Sequence, residues 1–128
     1  MKTILLVEDN SDILENTAEL LEIVGYRVHT AKNGLEGIAE AKRIRPDLIL
    51  CDIVMPEADG YEVLRQLKGN RDTSDIPLVF ISASVEQKDV DAAMGRGASG
   101  YLRKPFETTE LLKLVETIMG LYRRDSGS

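Results

Sequence analysis

Four short apolar runs in this chain each lead into polar residues able to do chemistry. LLV precedes Glu8 and Asp9, LILC precedes Asp52, LVFI precedes Ser82, and GYLR precedes Lys104. Three carboxylates gathered in one partly shielded pocket repel each other strongly unless something neutralises them. A hard divalent cation with oxygen ligands does so, and Mg²⁺ typically binds through one or two carboxylates plus water. A lysine and a hydroxyl beside such a cation complete what a transferring phosphoryl group needs. The cation and Lys104 neutralise its oxygens, Ser82 donates a hydrogen bond, and one carboxylate is left to attack as the nucleophile.

Taken singly, these residues have plainer uses. Glu8 and Asp9 suit a helix N-terminus, Asp52 a strand end or turn, Ser82 a loop hydroxyl, and Lys104 a solvated surface. Those uses do not account for all of them falling at the ends of strand-like runs in one alternating pattern. In an open parallel sheet, ligands bind beyond the carboxyl ends of the strands, so the pattern places these residues on one rim.

The elements that must build that rim alternate along the chain. Strand-like runs fall at 4–7, 27–30, 48–52, 78–81 and, more weakly, 101–102. LILC and LVFI are apolar at consecutive positions, as strands buried on both faces should be. Helical spacing between the runs puts Ile13, Leu14, Thr17, Ala18, Leu21 and Val24 on one face, with Gly25 at its stop. It does the same for Leu111, Leu114, Val115, Ile118 and Tyr122 in the last helix. Capping boxes are expected at Asp12 with Glu15, Asn33 with Glu36, Asp59 with Glu62, and Ser84 with Gln87. Strand–helix alternation repeated five times reads as an α/β fold, a doubly wound parallel sheet covered on both faces. His29 and Cys51 read as structural, and Met55, Met94 and Met119 as packing residues. The glycines Gly95, Gly97 and Gly100 lack the Lys-Ser or Lys-Thr of a P-loop.

Composition excludes several classes of function. The chain has 128 residues, the size of one domain, and 43% of them are hydrophobic, enough for a real core. Sixteen Lys and Arg against 22 Asp and Glu give a net charge of −6, which argues against non-specific binding to nucleic acid or anionic lipid. The single Cys51 makes no internal disulfide and no multi-thiolate metal site. There is no signal-peptide core and no membrane span, so a cytoplasmic protein is expected.

The motifs LLVEDN, LILCDIVMPEADGYEVL, LVFISAS and GYLRKPF, in this order and spacing, closely resemble the receiver domain of two-component response regulators. The resemblance implies a flavodoxin-like fold of five strands ordered 2-1-3-4-5 with five helices. It implies a receiver domain over residues 1–122, with 123–128 a flexible tail or linker stub. Asp52 matches the phosphoacceptor, taking a phosphoryl group from the phosphohistidine of a sensor histidine kinase or histidine phosphotransfer protein. Asp9 and Asp52 match direct Mg²⁺ ligands, Glu8 a ligand through water and Val54 one through its backbone carbonyl, with Mn²⁺ able to substitute. Ser82 and Lys104 match the residues that hold the phosphoryl oxygens. Ser82 and Tyr101 match the pair that switches the surface of the fourth helix, fifth strand and fifth helix. Lys104-Pro105 matches a peptide bond that is cis in the family, and Val54 and Ser84 match positions that tune loss of the phosphoryl group. Self-catalysed phosphorylation and slow autodephosphorylation are expected, from a signalling domain and not an enzyme acting on a separate substrate.

Some family features are missing. Regulators with winged-helix DNA-binding domains carry Asp-Asp before the switch tyrosine and Ala-Arg in the last helix, where this chain has Ser99-Gly100 and Leu112-Lys113. No direct contact with nucleic acid or membrane is expected, and the chain reads as a stand-alone receiver or one excised from a longer regulator or hybrid kinase. Among rivals, a haloacid-dehalogenase-like phosphohydrolase needs an acid two residues past its nucleophile, where Val54 stands. A flavodoxin-like binder would meet repulsion from Glu8 and Asp9. A receiver-like scaffold that is never phosphorylated should lack a key residue, and none is missing.

Overall fold

The two most apolar runs make the centre of the sheet. In this computed structural model, which describes residues 1–55, 57–84 and 86–127 with side chains as far as Gly120, β3 (Leu48–Asp52) and β4 (Leu78–Ser82) are buried at every position. The other elements, in chain order, are β1 (Thr3–Val7), α1 (Ser11–Ile23), β2 (Arg27–Ala31), α2 (Gly34–Ile44), α3 (Gly60–Lys68), α4 (Gln87–Gly95), β5 (Gly100–Arg103) and α5 (Thr108–Gly127). All neighbouring strands pair in parallel, and the order is β2-β1-β3-β4-β5, as expected. β5 spans four residues, longer than its apolar core of 101–102 indicates.

Alternate residues along each strand feed two separate cores, as the two-residue period of a strand requires. Leu5, Val7, Ile49, Cys51 and Phe80 pack with residues of α2, α3 and α4 such as Ala41, Val63, Leu67 and Ala93. Ile4, Leu6, Leu48, Leu50, Val79 and Ile81 pack with α1 and α5 through Leu14, Leu21, Leu111, Val115 and Ile118. Met55 and Met119 are buried, as expected, but Met94 is exposed on α4. Tyr61 of α3 meets Phe80 edge-on, ring centroids 5.3 Å apart, and carries the Arg96 guanidinium over its own ring at 4.4 Å. That stack ties α3 to the end of α4.

The helix starts correct two expectations. Asn33 and Asp59 cap α2 and α3, accepting from the backbone N–H of Glu36 and Glu62, both at 2.9 Å. For α1 the cap is Asn10, which accepts from Ile13 N–H at 3.0 Å, and not Asp12. Asn immediately before the first turn satisfies the free N–H groups better placed than an acid already inside it. For α4 the cap position is Glu86, with no side-chain capping bond, so Ser84 and Gln87 form no box. Gln87 instead donates to Asp91 at 2.9 Å, one turn along.

At the far end of α1, Gly25 has φ of +105°. Its N–H bonds Glu22 and the N–H of Tyr26 bonds Leu21, closing the helix in the double turn that favours glycine there. Val24 belongs to this stop, not to the buried face, and is 47% exposed. The side chain of Tyr122 and residue 128 lie outside the described residues, and the backbone of 123–127 continues α5. Among the described residues no helix is long and apolar enough to cross a membrane.

Gly60 shows how tightly the loop after β3 returns to its strand. Its N–H bonds Ile53 O at 2.8 Å, and a Cβ there would lie 2.6 Å from Asp52 O and 2.8 Å from Ile53 Cα. Both are backbone atoms that cannot step aside cheaply. Gly60→Ala should therefore destabilise the protein by about 1–3 kcal/mol, the usual cost of overpacking. Gly95→Ala, where nothing lies within 4 Å, should leave stability unchanged or raise it. Denaturant unfolding of the two variants checks the contrast, and equal stabilities would refute the close-approach argument.

Candidate functional site

Sheet register gathers the polar strand ends. Val7 pairs with Cys51, so the next residues, Glu8 and Asp52, emerge side by side from adjacent strands. Asp52 pairs with Ile81 and Ser82 with Arg103, which brings Ser82 and then Lys104 to the same rim. Ligand oxygens of Glu8, Asp9 and Asp52 all lie within 4.8 Å of one another, so the expected acidic cluster forms. Glu8 and Asp52 are buried and Asp9 is exposed.

Lys104 reaches into this cluster. Its Nζ lies 2.7 Å from Glu8 Oε1 and 3.3 Å from Asp52 Oδ2, and its side chain is only 18% exposed. It is thus a site residue and not a solvated surface charge. Burial alone would depress its pKa, but the bond to Glu8 and the charge of Asp52 outweigh this and hold it above the ordinary lysine value. Glu8 is pushed up from the ordinary carboxylate range, chiefly by burial, against the pull of Lys104 and of the Asn10 N–H that bonds its Oε2 at 3.1 Å. Like-charge crowding by Asp52 adds to the rise but is the smaller cause, so desolvation dominates where the sequence suggested repulsion.

One lysine cannot balance three carboxylates. Glu8 Oε1 is shut off from solvent and faces Lys104 Nζ at 2.7 Å. An all-oxygen donor set that keeps surplus negative charge fits a hard divalent cation such as Mg²⁺.

The remaining expected residues surround the cluster. Ser82 Oγ accepts from the Ser84 N–H at 3.2 Å. Tyr101, half-buried against the core under α3 and α4, places its hydroxyl 3.5 Å from the Ser84 carbonyl. Val54 stands 75% exposed just beyond Asp52, and the Lys104–Pro105 peptide is cis. Cys51 is fully buried, donates to Asp52 O at 3.2 Å, and has its thiol pKa pushed well up by that burial. It is the small buried hydrophobe expected. His29 is half-buried in β2, away from the rim.

Sequence reasoning missed three contributors. Asn10 orients Glu8 through its backbone N–H, and an Asn directly before the helical spacing begins was the available signal. Gly60 braces the backbone of Asp52. Asp89 accepts from the Ser84 hydroxyl, where a capping box with Gln87 is expected, and no helical or strand spacing links residues five apart across a loop.

Comparison with known proteins agrees with this geometry. The sequence profile of the response regulator receiver domain matches residues 4–116. Protein PilH of Pseudomonas aeruginosa is 34% identical over 119 residues, covering 93% of this chain and 98% of PilH. The DNA-binding dual master transcriptional regulator RpaA of Synechocystis is also 34% identical, over 93% of this chain but 49% of RpaA. The chain thus spans about half the length of some curated relatives it matches and nearly all of others. Among solved structures, chemotaxis protein CheY4 of Vibrio cholerae superposes with a TM-score of 0.87 at 29% identity, covering 92% of this chain and 98% of that one. The receiver domain of sensor histidine kinase PA1611 of Pseudomonas aeruginosa, solved with a magnesium ion in its active site cleft, gives 0.86 at 32% identity over 93% and 98% of the two chains. A profile covering most of the chain, whole-length relatives and the five-stranded architecture leave one conclusion: this chain belongs to the response regulator receiver domain family.

Proposed function

We propose that Asp52 accepts a phosphoryl group from the phosphohistidine of a sensor histidine kinase or phosphotransfer protein, or from a small acyl phosphate, and that Lys104 and Ser82 hold the transferred oxygens. The observation that carries this reading is Lys104 Nζ within reach of both Glu8 and Asp52, at 2.7 and 3.3 Å. An Asp52 oxygen attacks phosphorus, the P–N or P–O bond to the donor breaks, and the donor leaves with the electron pair. Lys104 is already placed to follow the charge that moves onto the phosphoryl oxygens. Ser82 Oγ keeps a proton to donate while accepting from Ser84 N–H. Asp9, Asp52, the Val54 carbonyl and, through a water, Glu8 would hold Mg²⁺, which would supply the remaining positive charge; Mn²⁺ has the same ligand chemistry.

The phosphodonor has a surface to meet. A largely apolar groove of about 390 Å³ lies beside Lys104, lined by Ile13, Asn16, Thr17, Ala83, Pro105 and Phe106. An amphipathic helix presenting a phosphohistidine would fit such a groove. On the far side of the site, the Ser82–Ser84–Tyr101 contacts lead to α4, β5 and α5, the surface proposed to change on phosphorylation. We place this activity in the cytoplasm, without direct contact to nucleic acid or membrane, in a receiver that is self-standing or part of a longer regulator or hybrid kinase.

Incubation with a small acyl phosphate and Mg²⁺ should add one phosphoryl group by mass spectrometry, lost in Asp52→Asn and absent in chelator. Equal labelling of that variant, or labelling without metal, would sink the assignment.

Metal-free stability should carry the signature of the cluster. Glu8, with its raised folded pKa, contributes stability that is present below the ordinary carboxylate value and lost as pH rises through the raised one. At neutral pH the metal-free protein is therefore strained at Glu8; separately, Asp9 puts a third carboxylate within 4.8 Å of Glu8 and Asp52, so Asp9→Asn, which leaves the Lys104 contacts intact, should raise its melting temperature. Mg²⁺ at a hundredfold excess over its Kd should stabilise the wild type by roughly 2.7 kcal/mol. A lower melting temperature for metal-free Asp9→Asn would show the repulsion to be unimportant.

Loss of the phosphoryl group needs a water in line with phosphorus, opposite the Asp52 oxygen. Val54, exposed here and matching a position that flanks this approach in receivers, offers methyl groups and no hydrogen bond, so slow decay is expected. Val54→Asn should speed decay measurably, since a tenfold change takes only about 1.4 kcal/mol of barrier. An unchanged or slower rate means this side chain does not limit the water.

A further inference from the structure

Ser84 receives and makes bonds in three directions. Its N–H donates to Ser82 Oγ at 3.2 Å, and its carbonyl accepts from the Tyr101 hydroxyl at 3.5 Å. Its own hydroxyl donates to Asp89 Oδ2 while accepting from the Glu86 N–H at 3.3 Å. Ser84 therefore borders the site hydroxyl on one side and the start of α4 on the other. A serine has a single proton to donate. Here it goes to a carboxylate, and bonds to ionised acceptors are the stronger kind. Asp89 lies half-buried in the first turn of α4, a helix whose cap residue makes no side-chain capping bond. Its carboxylate reaches back over the loop and, together with the Glu86 N–H, fixes where the Ser84 hydroxyl points.

We propose that Asp89 is a positioning residue that prolongs the phosphorylated state by holding the Ser84 hydroxyl away from the site. The inference rests on the reading of Asp52 as phosphoacceptor. In hydrolysis a water oxygen bonds to phosphorus, the P–O bond to Asp52 breaks, and the carboxylate leaves with the electron pair. The water's proton passes to the phosphate or to solvent. A hydroxyl at the edge of the site that could turn toward this water would lower the cost of ordering it. One committed to Asp89 does not. Asp89 has a second possible use, as a negative charge near the N-terminal end of the α4 dipole. The two uses separate cleanly: the dipole needs the charge, whereas the hold on Ser84 needs only an acceptor oxygen, which Asn retains.

The test follows decay of the phosphorylated protein in Mg²⁺ after donor removal, with thermal melting of each variant alongside. Asp89→Ala should decay about threefold faster or more. Asp89→Asn should match the wild type, and the double variant Ser84→Ala/Asp89→Ala should decay no faster than Ser84→Ala alone because the acceleration needs the freed hydroxyl. An unchanged rate in Asp89→Ala overturns the proposal, as does fast decay that persists in the double variant, which would point to a loosened helix. Asp89→Asn behaving like Asp89→Ala also overturns it, in favour of the dipole. Failure of the underlying reading looks different: the label would survive Asp52→Asn before any decay is measured.

Discussion

Two buried carboxylates can stand side by side on adjacent strands here because one lysine from a third strand end reaches both. Lys104 Nζ sits 2.7 Å from Glu8 and 3.3 Å from Asp52, and the rest of the architecture is arranged to make that possible. β1, β3 and β4 must run parallel and in register for Glu8, Asp52 and Ser82 to emerge together. β5 must lie beside β4 for the chain to deliver Lys104 to the same rim. Burying charges is costly, and a single cation recovers only part of that cost. The remainder leaves the site short of positive charge, which suits a divalent cation.

Stability and function are divided between different parts of the molecule. The two cores on either side of the sheet, filled by alternate residues of the same strands, owe nothing to the rim and supply the rigidity. The rim is built from loops that are pinned at single points. Asn10 pins the loop after β1 by capping α1 and bonding Glu8, Gly60 folds the loop after β3 against Asp52, and Asp89 holds the loop after β4 through Ser84. Each pin is a hydrogen bond or a close approach that sets the local geometry of its loop.

The cap and hydroxyl contacts also explain why α4 differs from the other helices. α1, α2 and α3 start on Asn10, Asn33 and Asp59, whose side chains satisfy their free N–H groups. α4 starts on Glu86 without such a bond and has Ala93 as its buried residue. It is the helix held least by its own sequence. α4 follows Ser84 and precedes Tyr101 in the chain, the two residues through which the proposed rearrangement would run.

The sequence by itself determined the strands, most helix faces and the acidic rim. Consecutive apolar residues in LILC and LVFI can only be buried on both faces, and strand ends in a parallel sheet share one edge whatever their order. The spacing of LLVEDN, LILCD, LVFIS and GYLRKPF carried the family and, through it, the strand order. What remained undecided depended on bonds between residues that no period relates. Only the folded chain settled that Asn10 and not Asp12 caps α1, that Asp89 and not Gln87 takes the Ser84 hydroxyl, and that Val24 and Met94 face solvent. It also decided that Glu8 is perturbed mainly by burial, because desolvation depends on what covers a group, and the atoms covering Glu8 come from strands and loops far apart in sequence.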